Sequence, residues 1–270
     1  MVLQLQTAHL AGGAVRTTQG VPSIQRAQTS SVAYRVPGVS DILRSFPYLP
    51  AQTSLLGLGE DGYPVIFDLL DDSPGSLLIC GDSGCGKTHL LQTMLVSAMI
   101  LSSPHRLRAW VLSTKPEDWQ GLQATYDRRY FEAVESSYSD EAVRKLDQLM
   151  IRAEQRRYVR ELGAVILLLI DDLAQVLKMN QETRSGLAWL LREGAATRVW
   201  TVATLDSQHV LQQPDWMHAF QTHLVGRIGD GAVGLRVSRS RLLEPAHLAH
   251  QDQFAVRIGG EWKLFWSPSS

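Results

Sequence analysis

An eight-residue segment carries the clearest chemistry in this sequence, because it has the spacing G-x-x-x-x-G-K-[ST] that holds phosphate groups. Glycines at these positions allow backbone torsions that turn successive N–H groups towards phosphate oxygens. The lysine brings a positive charge to the β- and γ-phosphates, and the threonine hydroxyl is a ligand for Mg²⁺. The segment predicts an ATP site whose binding residues are Gly81, Asp82, Ser83, Gly84, Cys85, Gly86, Lys87, Thr88 and the adjacent His89.

Two carboxylates at the end of an apolar run form a second candidate site. Asp171 and Asp172 directly follow the run 164–170. In P-loop ATPases the first acid after such a strand holds Mg²⁺ through water, and the second orients the attacking water. This order predicts Asp171 and Thr88 as metal ligands. It predicts Asp172 as a catalytic residue, together with Lys87, which stabilises charge on the transferred phosphoryl group. The alternative is a pair of solvated acids that end a strand.

Two residues of these motifs have more than one interpretation. Asp172 is one methylene shorter than the glutamate usual at that position, and a misplacement of about 1 Å can lower a rate about a hundredfold. We therefore expect slow hydrolysis unless the backbone compensates. Cys85 is either a redox-sensitive thiol, whose pKa the start of a helix lowers, or a small residue that fits the loop.

Strands and helices alternate around these motifs, which is typical of an α/β fold with a parallel sheet. The helix predicted over 87–101 is apolar on nearly every face, so we expect it to pack against a sheet. A hairpin is predicted over 55–70 and a long amphipathic helix over 140–162. The other predicted elements are strands over 77–80, 107–112, 130–134, 164–170 and 199–204, a helix over 183–193, and short strands after 222, including an alternating one over 235–239.

The composition is that of a globular chain without a strong electrostatic field. The 270 residues are 44% hydrophobic and 20% charged, which excludes a wholly disordered or fibrous protein. The formal net charge of −1 gives no global attraction to nucleic acid, so a role of that kind needs a local patch. The arginine-rich segment 227–241 is the candidate patch, and its alternative is the solvated side of a strand.

The ends of the chain and its apolar runs predict location and domain organisation. Residues 1–50 are rich in Gln, Ser, Thr, Gly and Pro and are expected to form an N-terminal arm or partly ordered extension ahead of one domain at 51–270. No apolar run approaches the ~20 residues that span a bilayer, and the N-terminus lacks the basic region of a signal peptide. We therefore expect a cytoplasmic protein without a direct membrane span, which a partner could still recruit to a membrane.

These motifs, in this order, resemble the FtsK/HerA superfamily of ring-forming motor ATPases. The superfamily includes chromosome-segregation translocases, conjugative coupling proteins and the EssC-type ATPases of type VII secretion. The similarity extends from about residue 55 to residue 266, and it includes the hairpin segment 57–65 and the segment 154–158, which is similar to the family's E-x-R-R-Y. The resemblance implies a RecA-like P-loop NTPase fold, with a mainly parallel central sheet flanked by helices and short C-terminal antiparallel strands.

The resemblance also implies partners. The family forms homo-oligomers, commonly hexameric rings in the active state, in which an arginine of a neighbouring subunit completes the ATP site. Arg192 is the candidate for that catalytic arginine, with Arg184 and Arg198 as alternatives. The translocated polymer would be DNA or a polypeptide, and the protein partner would come from a secretion, conjugation or mobile-element system.

Three motifs depart from the family pattern. Ser113-Thr114-Lys115 stands where the family has Asp-Pro-Lys, Asp172 replaces a glutamate, and Leu205 replaces the glutamine that senses the γ-phosphate. The last two departures affect hydrolysis and leave the nucleotide-binding loop intact. Three hypotheses therefore remain: an ATP-hydrolysing motor that acts on duplex DNA, a related motor of a protein-export or mobile-element system, and a degenerate scaffold in which ATP controls assembly with negligible hydrolysis.

Overall fold

The computed structural model describes residues 36–159 and 163–269, so most of the predicted arm lies outside the described residues. The strands are β1 Thr53–Gly59, β2 Pro64–Asp68, β3 Leu77–Gly81, β4 Leu107–Ser113, β5 Phe131–Ser136, β6 Val165–Asp171, β7 Val199–Asp206, β8 Thr222–Val225, β9 Gln253–Ile258 and β10 Glu261–Trp266. The α-helices are α1 Val39–Ser45, α2 Lys87–Leu101, α3 Gln120–Thr125, α4 Asp140–Arg156, α5 Leu173–Val176, α6 Gln181–Glu193, α7 Pro214–Ala219 and α8 Gly231–Ser238.

All ten strands of the described part form one sheet, in the order β2-β1-β10-β9-β8-β3-β7-β6-β4-β5. The six strands from β8 to β5 in this order are parallel to one another. The remaining four extend the sheet by antiparallel pairing. The predicted α/β fold with a mainly parallel sheet and antiparallel C-terminal strands is therefore confirmed. In this order the carboxyl ends of β3, β7 and β6 lie side by side, and both sequence motifs follow strands of that set.

Helices cover both faces of the sheet, and each face has its own apolar core. One core lies beneath α4, α5, α6 and α8, and the other lies beneath α2. The apolar surface of α2 is buried, as expected. Two hydrogen bonds join α2 to β1: Ser54 Oγ donates to the Met94 carbonyl (2.9 Å), and the Leu55 N–H donates to Ser97 Oγ (2.8 Å). The helix that starts at the phosphate loop is thus fixed along its length.

The C-terminal region corrects one prediction. The alternating pattern over 235–239 predicts a strand, but these residues form the second half of α8 and its end. Oδ1 of Asp230 accepts hydrogen bonds from the N–H groups of Ala232 (2.8 Å) and Val233 (3.1 Å), which fixes the start of the helix. Val233 and Val237, four residues apart, are buried on one face, so the helical period decides the structure.

Two further regions, the end of the long helix α4 and the described end of the predicted arm, add to or differ from the sequence prediction. The long helix predicted to residue 162 ends at Arg156, and 160–162 lie outside the described residues. The described end of the predicted arm contains α1, whose Ile42 is buried against the hairpin β1–β2. Phe46 and Leu49 pack against the same cluster, whereas the Tyr48 side chain between them in sequence is 87% exposed. The division of the chain near residue 50 stays a prediction.

Gly57 in β1 occupies a position where a side chain has no room. A Cβ at this residue would lie 2.1 Å from the backbone carbonyl oxygen of Trp266 in β10. Because backbone cannot rotate away, Gly57→Ala has to separate the two strands, and we expect a loss of roughly 2–3 kcal/mol in the free energy of unfolding. Denaturant unfolding measures the loss. Gly231→Ala is the control, since a Cβ there meets no atom within 4 Å. Equal stability of the two variants would contradict the close approach of β1 and β10.

Candidate nucleotide-binding site

The predicted phosphate loop connects the end of β3 to the start of α2. Gly84 and Gly86 have φ angles of 81° and 97°, a left-handed conformation that glycine adopts at little cost. At Gly86 a side chain is also excluded by space, because a Cβ would lie 2.3 Å from Oδ1 of Asp252. The Asp252 N–H donates to the Cys85 carbonyl (3.1 Å), so the segment before β9 supports the loop. The glycine positions of the motif therefore have a structural reason in this chain.

The loop forms one wall of a cleft of about 400 Å³ at the carboxyl edge of the sheet. The ends of β6 and β7 and the 3₁₀ turn Ser207–Gln212 form other walls. Asp171 and Asp172 both line this cleft, so the structure brings the two sequence motifs together. The predicted binding residues that line it are Ser83, Gly84, Gly86, Lys87, Thr88 and His89. Those that belong to the loop but lie outside the described lining are Gly81, Asp82 and Cys85.

Lys87 is the first residue of α2, and its ammonium group has three oxygen neighbours. Nζ donates to the carbonyl oxygens of Gly81 (2.9 Å) and Asp82 (2.8 Å), and it lies 3.4 Å from Oδ2 of Asp206. Two of these partners are neutral carbonyls, which bind a cation less strongly than anionic phosphate oxygens do. The amine is therefore held inside the loop in a position from which it can change partners.

Asp171 is the centre of a hydrogen-bond network at the end of β6. Its Oδ1 accepts from Thr88 Oγ1 (2.9 Å) and Thr204 Oγ1 (3.2 Å), and its Oδ2 accepts from Ser113 Oγ (3.2 Å). The residue is only 8% exposed. This desolvation raises the pKa of the Asp171 carboxyl above its usual range, although the three hydroxyl donors act in the opposite direction.

Asp172 has a left-handed backbone, with φ of 82° and ψ of 81°. Aspartate is among the few non-glycine residues that adopt this region readily. The Asp172 N–H donates to Thr204 Oγ1 (2.8 Å), and its carboxylate accepts from the Ala174 N–H (3.1 Å), which caps the short helix α5. The predicted water-positioning carboxylate thus lines the cleft and already has a structural partner there.

The end of β7 and the turn after it supply cleft residues that no sequence motif marks. These are Thr204, Asp206, Gln208 and His209. Because parallel strands end at the same edge of a sheet, the polar residues that end β7 were detectable as candidates from the strand prediction alone. Gln208 and His209 were not, since they depend on the course of an irregular turn. Leu205, at the position of the family's glutamine, is fully buried in the core and therefore makes no contact with the cleft.

Asp82 and His89 make contacts that sequence spacing does not predict. The Asp82 carboxylate accepts from Ser207 Oγ (2.5 Å) and from the Gly229 N–H (2.8 Å), which ties the loop to the turn after β7 and to the segment before α8. Nε2 of His89 lies 2.6 Å from the carbonyl oxygen of Pro268, while the same residue lines the cleft. The segment after β10 is therefore in contact with a residue that lines the cleft.

The arginines expected to act on a neighbouring subunit do not line the cleft of their own chain. Arg192 is exposed in the last turn of α6. The helix α6 connects the carboxyl end of β6 to the amino end of its parallel neighbour β7. Arg192, in its last turn, therefore lies towards the amino ends of the strands, away from the cleft. Arg184 donates to the Gln181 side chain in the first turn of α6, and Arg198 donates to the Gly163 carbonyl (3.3 Å). The role of any of them stays a prediction.

Both cysteines are buried and unpaired. Desolvation raises the pKa of the Cys80 and Cys85 thiols, and the nearby Lys87 charge only partly opposes it. This direction disfavours the interpretation of Cys85 as a redox-sensitive thiol. We expect iodoacetamide at pH 8 to label neither thiol appreciably in the folded protein and both in denaturant, as read by mass spectrometry. Rapid labelling of Cys85 in the folded protein would contradict its burial.

The donors in the cleft fit Mg²⁺ bound together with a nucleotide. Within 36–159 and 163–269, no group of three or more His, Cys, Asp or Glu side chains is arranged to hold a metal ion. Magnesium of a nucleotide complex needs fewer protein ligands, because phosphate oxygens and waters supply the rest. The adjacent Thr88 hydroxyl and Asp171 carboxylate match that requirement. Among the same residues, no helix is long and apolar enough to cross a bilayer.

The sequence matches a family and a curated protein over part of its length. The FtsK/SpoIIIE family matches residues 50–123, which contain the hairpin β1–β2, the phosphate loop and α2. A stretch of 107 residues is 34% identical to the ESX-3 secretion system protein EccC3 of Mycobacterium tuberculosis. It covers 37% of this chain and 8% of EccC3, so the chain corresponds to a small part of that relative.

Solved structures resemble the chain over most of its length. Thermomonospora curvata EccC (ATPases 2 and 3), in complex with a signal sequence peptide, aligns with a TM-score of 0.65 and 16% identity over 87% of this chain and 43% of that one. The pCW3 conjugation coupling protein TcpA, in its monomer form with ATPγS, aligns with a TM-score of 0.65 and 14% identity over 91% of this chain and 76% of that one. At these identities the likeness concerns the fold.

Proposed function

We propose, from the chain's homology to the EccC/EssC ATPase domains and to FtsK-like motors, that it binds Mg²⁺-ATP at residues 81–88 and hydrolyses it as one subunit of a ring-shaped motor. One observation carries the proposal. Lys87, Thr88, Asp171 and Asp172, from two motifs far apart in sequence, converge on one cleft at the carboxyl edge of a parallel sheet. That arrangement is what in-line phosphoryl transfer to water requires of a protein.

Each converging residue has a distinct role in hydrolysis. The loop N–H groups and the Lys87 ammonium bind the phosphates and stabilise negative charge that develops on the transferred phosphoryl group. The Asp172 carboxylate positions the attacking water and accepts its proton. When bound with ATP, Mg²⁺ neutralises the β- and γ-phosphates, and Thr88 and Asp171 are the residues that would hold it. Arg192 of a neighbouring subunit is the proposed catalytic arginine, with Arg184 and Arg198 as alternatives.

The proposed motor acts on a polymer, and the charge of the chain favours a polypeptide over DNA. A formal net charge of −1 gives no general attraction to phosphates. The arginines Arg236, Arg239 and Arg241 are exposed at and after the end of α8, so a local DNA contact remains the alternative to test. One similar protein is named for secretion and another for conjugation. The proposed partner is accordingly a secreted polypeptide or a protein of a mobile element. A homohexamer is the proposed active state.

A specific observation also favours a second candidate, a scaffold whose assembly ATP controls with negligible hydrolysis. The Asp172 carboxylate is engaged in capping α5, and the glutamine position holds the buried Leu205. Both features weaken hydrolysis without affecting Lys87 or the loop. In this candidate the bound nucleotide acts as a structural ligand between subunits.

Steady-state ATP hydrolysis by the full chain, with and without duplex DNA, separates these functions. Stimulation by DNA supports a DNA motor, whereas turnover that DNA does not change supports a polypeptide motor. Tight ATP binding with turnover no higher than that of Lys87→Ala supports the scaffold. Light scattering with and without ATP measures the oligomer in the same samples. Absence of ATP binding by the wild-type chain would overturn all three.

A further inference from the structure

We propose that a cavity at the amino ends of the strands binds a phosphomonoester group. The cavity has a volume of about 530 Å³ and lies between the start of β8, the end of α8 and the turn that joins β9 to β10. Strand β8 is parallel to β3, and the phosphate loop follows the carboxyl end of β3. The cavity is therefore at the opposite edge of the sheet from the phosphate cleft, and it is a site separate from the proposed nucleotide site.

Two arginines bring positive charge to this cavity. Arg239 directly follows α8 and Arg257 lies in β9, and both are exposed residues that line the cavity. Over 36–159 and 163–269, neither arginine has a carboxylate within ion-pair distance. None of the described residues that line the cavity is acidic. A bound anion would therefore neutralise two charges that the described protein leaves uncompensated.

Backbone carbonyls hold both guanidinium groups at the cavity. Arg239 Nη2 donates to the Met217 carbonyl (2.8 Å), and Arg257 Nε donates to the Gly260 carbonyl (3.1 Å). A guanidinium group has five N–H donors, so each arginine keeps donors for a ligand. A neutral carbonyl also fixes the direction of the group without cancelling its charge. The two arginines are thus partly preorganised to bind an anion.

Trp262 adds a hydrogen-bond donor to the same cavity. It lines the cavity and stands opposite Arg257 in the pairing of β10 with β9. Its Nε1 atom is buried and has no hydrogen-bond partner in the described part of the chain. Buried donors in native proteins nearly always have a partner, so this one requires an explanation. An anion oxygen would supply the partner, and the indole ring offers apolar surface to the rest of the ligand.

The remaining polar groups at the cavity are bonded within the protein. The side chains of Gln221, Thr222 and Ser238 donate to backbone carbonyls. The ring nitrogens of His223 lie 3.1 and 2.9 Å from two carbonyl oxygens. Burial lowers the pKa of His223, and the Arg239 charge acts in the same direction, so the ring is neutral at pH 7. The groups left for a ligand are therefore donors, which favours an anion over a cation.

Charge and size favour a phosphomonoester over other anions. A phosphomonoester carries about 1.5 to 2 negative charges at pH 7 and has three strong acceptor oxygens, which match two guanidinium groups and one indole N–H. A carboxylate has one charge and two oxygens. The cavity is also many times larger than the roughly 30 Å³ that one water occupies. An organic group attached to the phosphate therefore has room beside Trp262 and Val237.

Three variants test the assignment of these side chains, and a fourth is the control. Arg239→Gln and Arg257→Gln each remove a charge and keep a long polar side chain. Trp262→Phe keeps an aromatic ring and removes the N–H. Arg236→Gln is the matched control, because Arg236 is exposed on α8 and is not among the residues that line the cavity. Thermal melting without ligand verifies that each variant is folded.

Calorimetric titration of the full chain at pH 8 uses phenyl phosphate as the probe, and benzoate as the comparison with the same ring and one charge. We expect wild type to bind phenyl phosphate more tightly than benzoate. Arg239→Gln and Arg257→Gln each lower the affinity for phenyl phosphate on the order of tenfold, because each removes a charge-assisted hydrogen bond. Trp262→Phe lowers it less, and Arg236→Gln leaves it unchanged.

A peptide that carries phosphotyrosine distinguishes the two sources of a phosphomonoester. Tighter binding of this peptide than of phenyl phosphate, with the same loss in the arginine variants, assigns the phosphate to a polypeptide. Equal or weaker binding, with phenyl phosphate bound as expected, assigns it to a small organic molecule.

Lys87→Ala separates this site from the nucleotide site. It should bind phenyl phosphate with the wild-type affinity, whether or not the chain binds ATP. Loss of phenyl phosphate binding in Lys87→Ala would place the probe at the phosphate loop and overturn the assignment. Absence of binding by wild type, wild-type affinity in both arginine variants, or benzoate bound as tightly as phenyl phosphate would overturn it as well.

Discussion

Lys87→Ala is expected to lower the rate of ATP hydrolysis on the order of 10²–10³-fold and to weaken ATP binding, because it removes the cation that the phosphate loop holds for phosphate oxygens. The ammonium group is held at 2.8–2.9 Å by two loop carbonyls and lies 3.4 Å from Oδ2 of Asp206. Phosphate oxygens are stronger partners for that charge than neutral carbonyls. Alanine also leaves the Asp206 carboxylate facing incoming phosphates without a neighbouring cation, which adds repulsion.

Lys178→Ala is the matched control for this loss of charge. Lys178 is exposed, and its amine donates to the Gln175 side chain (3.0 Å), away from the cleft. Phosphate release measures turnover, and the rise in melting temperature on adding ATP measures binding. Wild type and Lys178→Ala should show equal turnover and an equal rise in melting temperature, whereas Lys87→Ala should show the reduced turnover and a smaller rise. A Lys87→Ala protein with the wild-type affinity for ATP would refute the assignment of the loop.

The elements that position this site were predictable because each combines a buried apolar run with a motif at its end. Strands β3 and β6 and helix α2 lie within one residue of their predicted bounds. The predicted resemblance to the FtsK/SpoIIIE family is confirmed over residues 50–123, which contain β3 and α2 but not β6. The phosphate-loop motif and the acidic motif are each recognisable from adjacent residues, so no tertiary information is needed to find them.

Three kinds of feature are not predicted from the sequence: strand pairings between residues far apart in the chain, segments whose residue pattern fits both a strand and a helix, and the course of irregular turns. β1 pairs with β10, where Leu58 lies opposite Trp266, and no local pattern encodes a pairing across some 200 residues. α8 alternates like a strand over five residues, and the Asp230 cap and the buried valines four residues apart decide its structure. Gln208 enters the site through an irregular turn whose course follows no residue pattern.

Asp171→Asn is expected to have opposite effects on stability and on function. The buried Asp171 carboxylate has a raised pKa, so the folded protein binds its proton more tightly than the unfolded chain does. Folding stability therefore falls as the pH rises from the unfolded-state pKa of about 4 to the higher folded-state value, and at neutral pH the ionised group lowers stability. An uncharged amide removes that cost. We expect the nucleotide-free Asn variant to be more stable than wild type by about 1 kcal/mol at pH 8.

The hydrogen bonds around the carboxylate decide which variant is informative. An asparagine oxygen can still accept from Thr88 and Thr204, and its NH₂ group can donate to Ser113, so the network survives. Asp171→Ala instead leaves three hydroxyls without their acceptor and creates a cavity, so it should be less stable than wild type. Both variants lose the carboxylate proposed to hold Mg²⁺, and we expect their ATP turnover to fall at least a hundredfold.

Thermal melting of the three proteins between pH 4 and pH 8, without nucleotide, measures the stability difference, and phosphate release measures turnover. The advantage of Asp171→Asn over wild type should be smallest at pH 4 and should grow as the pH rises, because the raised pKa makes wild-type folding stability fall with increasing pH and the amide does not titrate. Added Mg²⁺-ATP should stabilise wild type more than Asp171→Asn at pH 8, since the variant lacks the carboxylate proposed to hold Mg²⁺ and binds the complex more weakly. An Asn variant less stable than wild type at pH 8 would mean that the carboxylate's hydrogen bonds outweigh its desolvation. An Asn variant with wild-type turnover would contradict the assignment of Asp171 as a ligand of Mg²⁺.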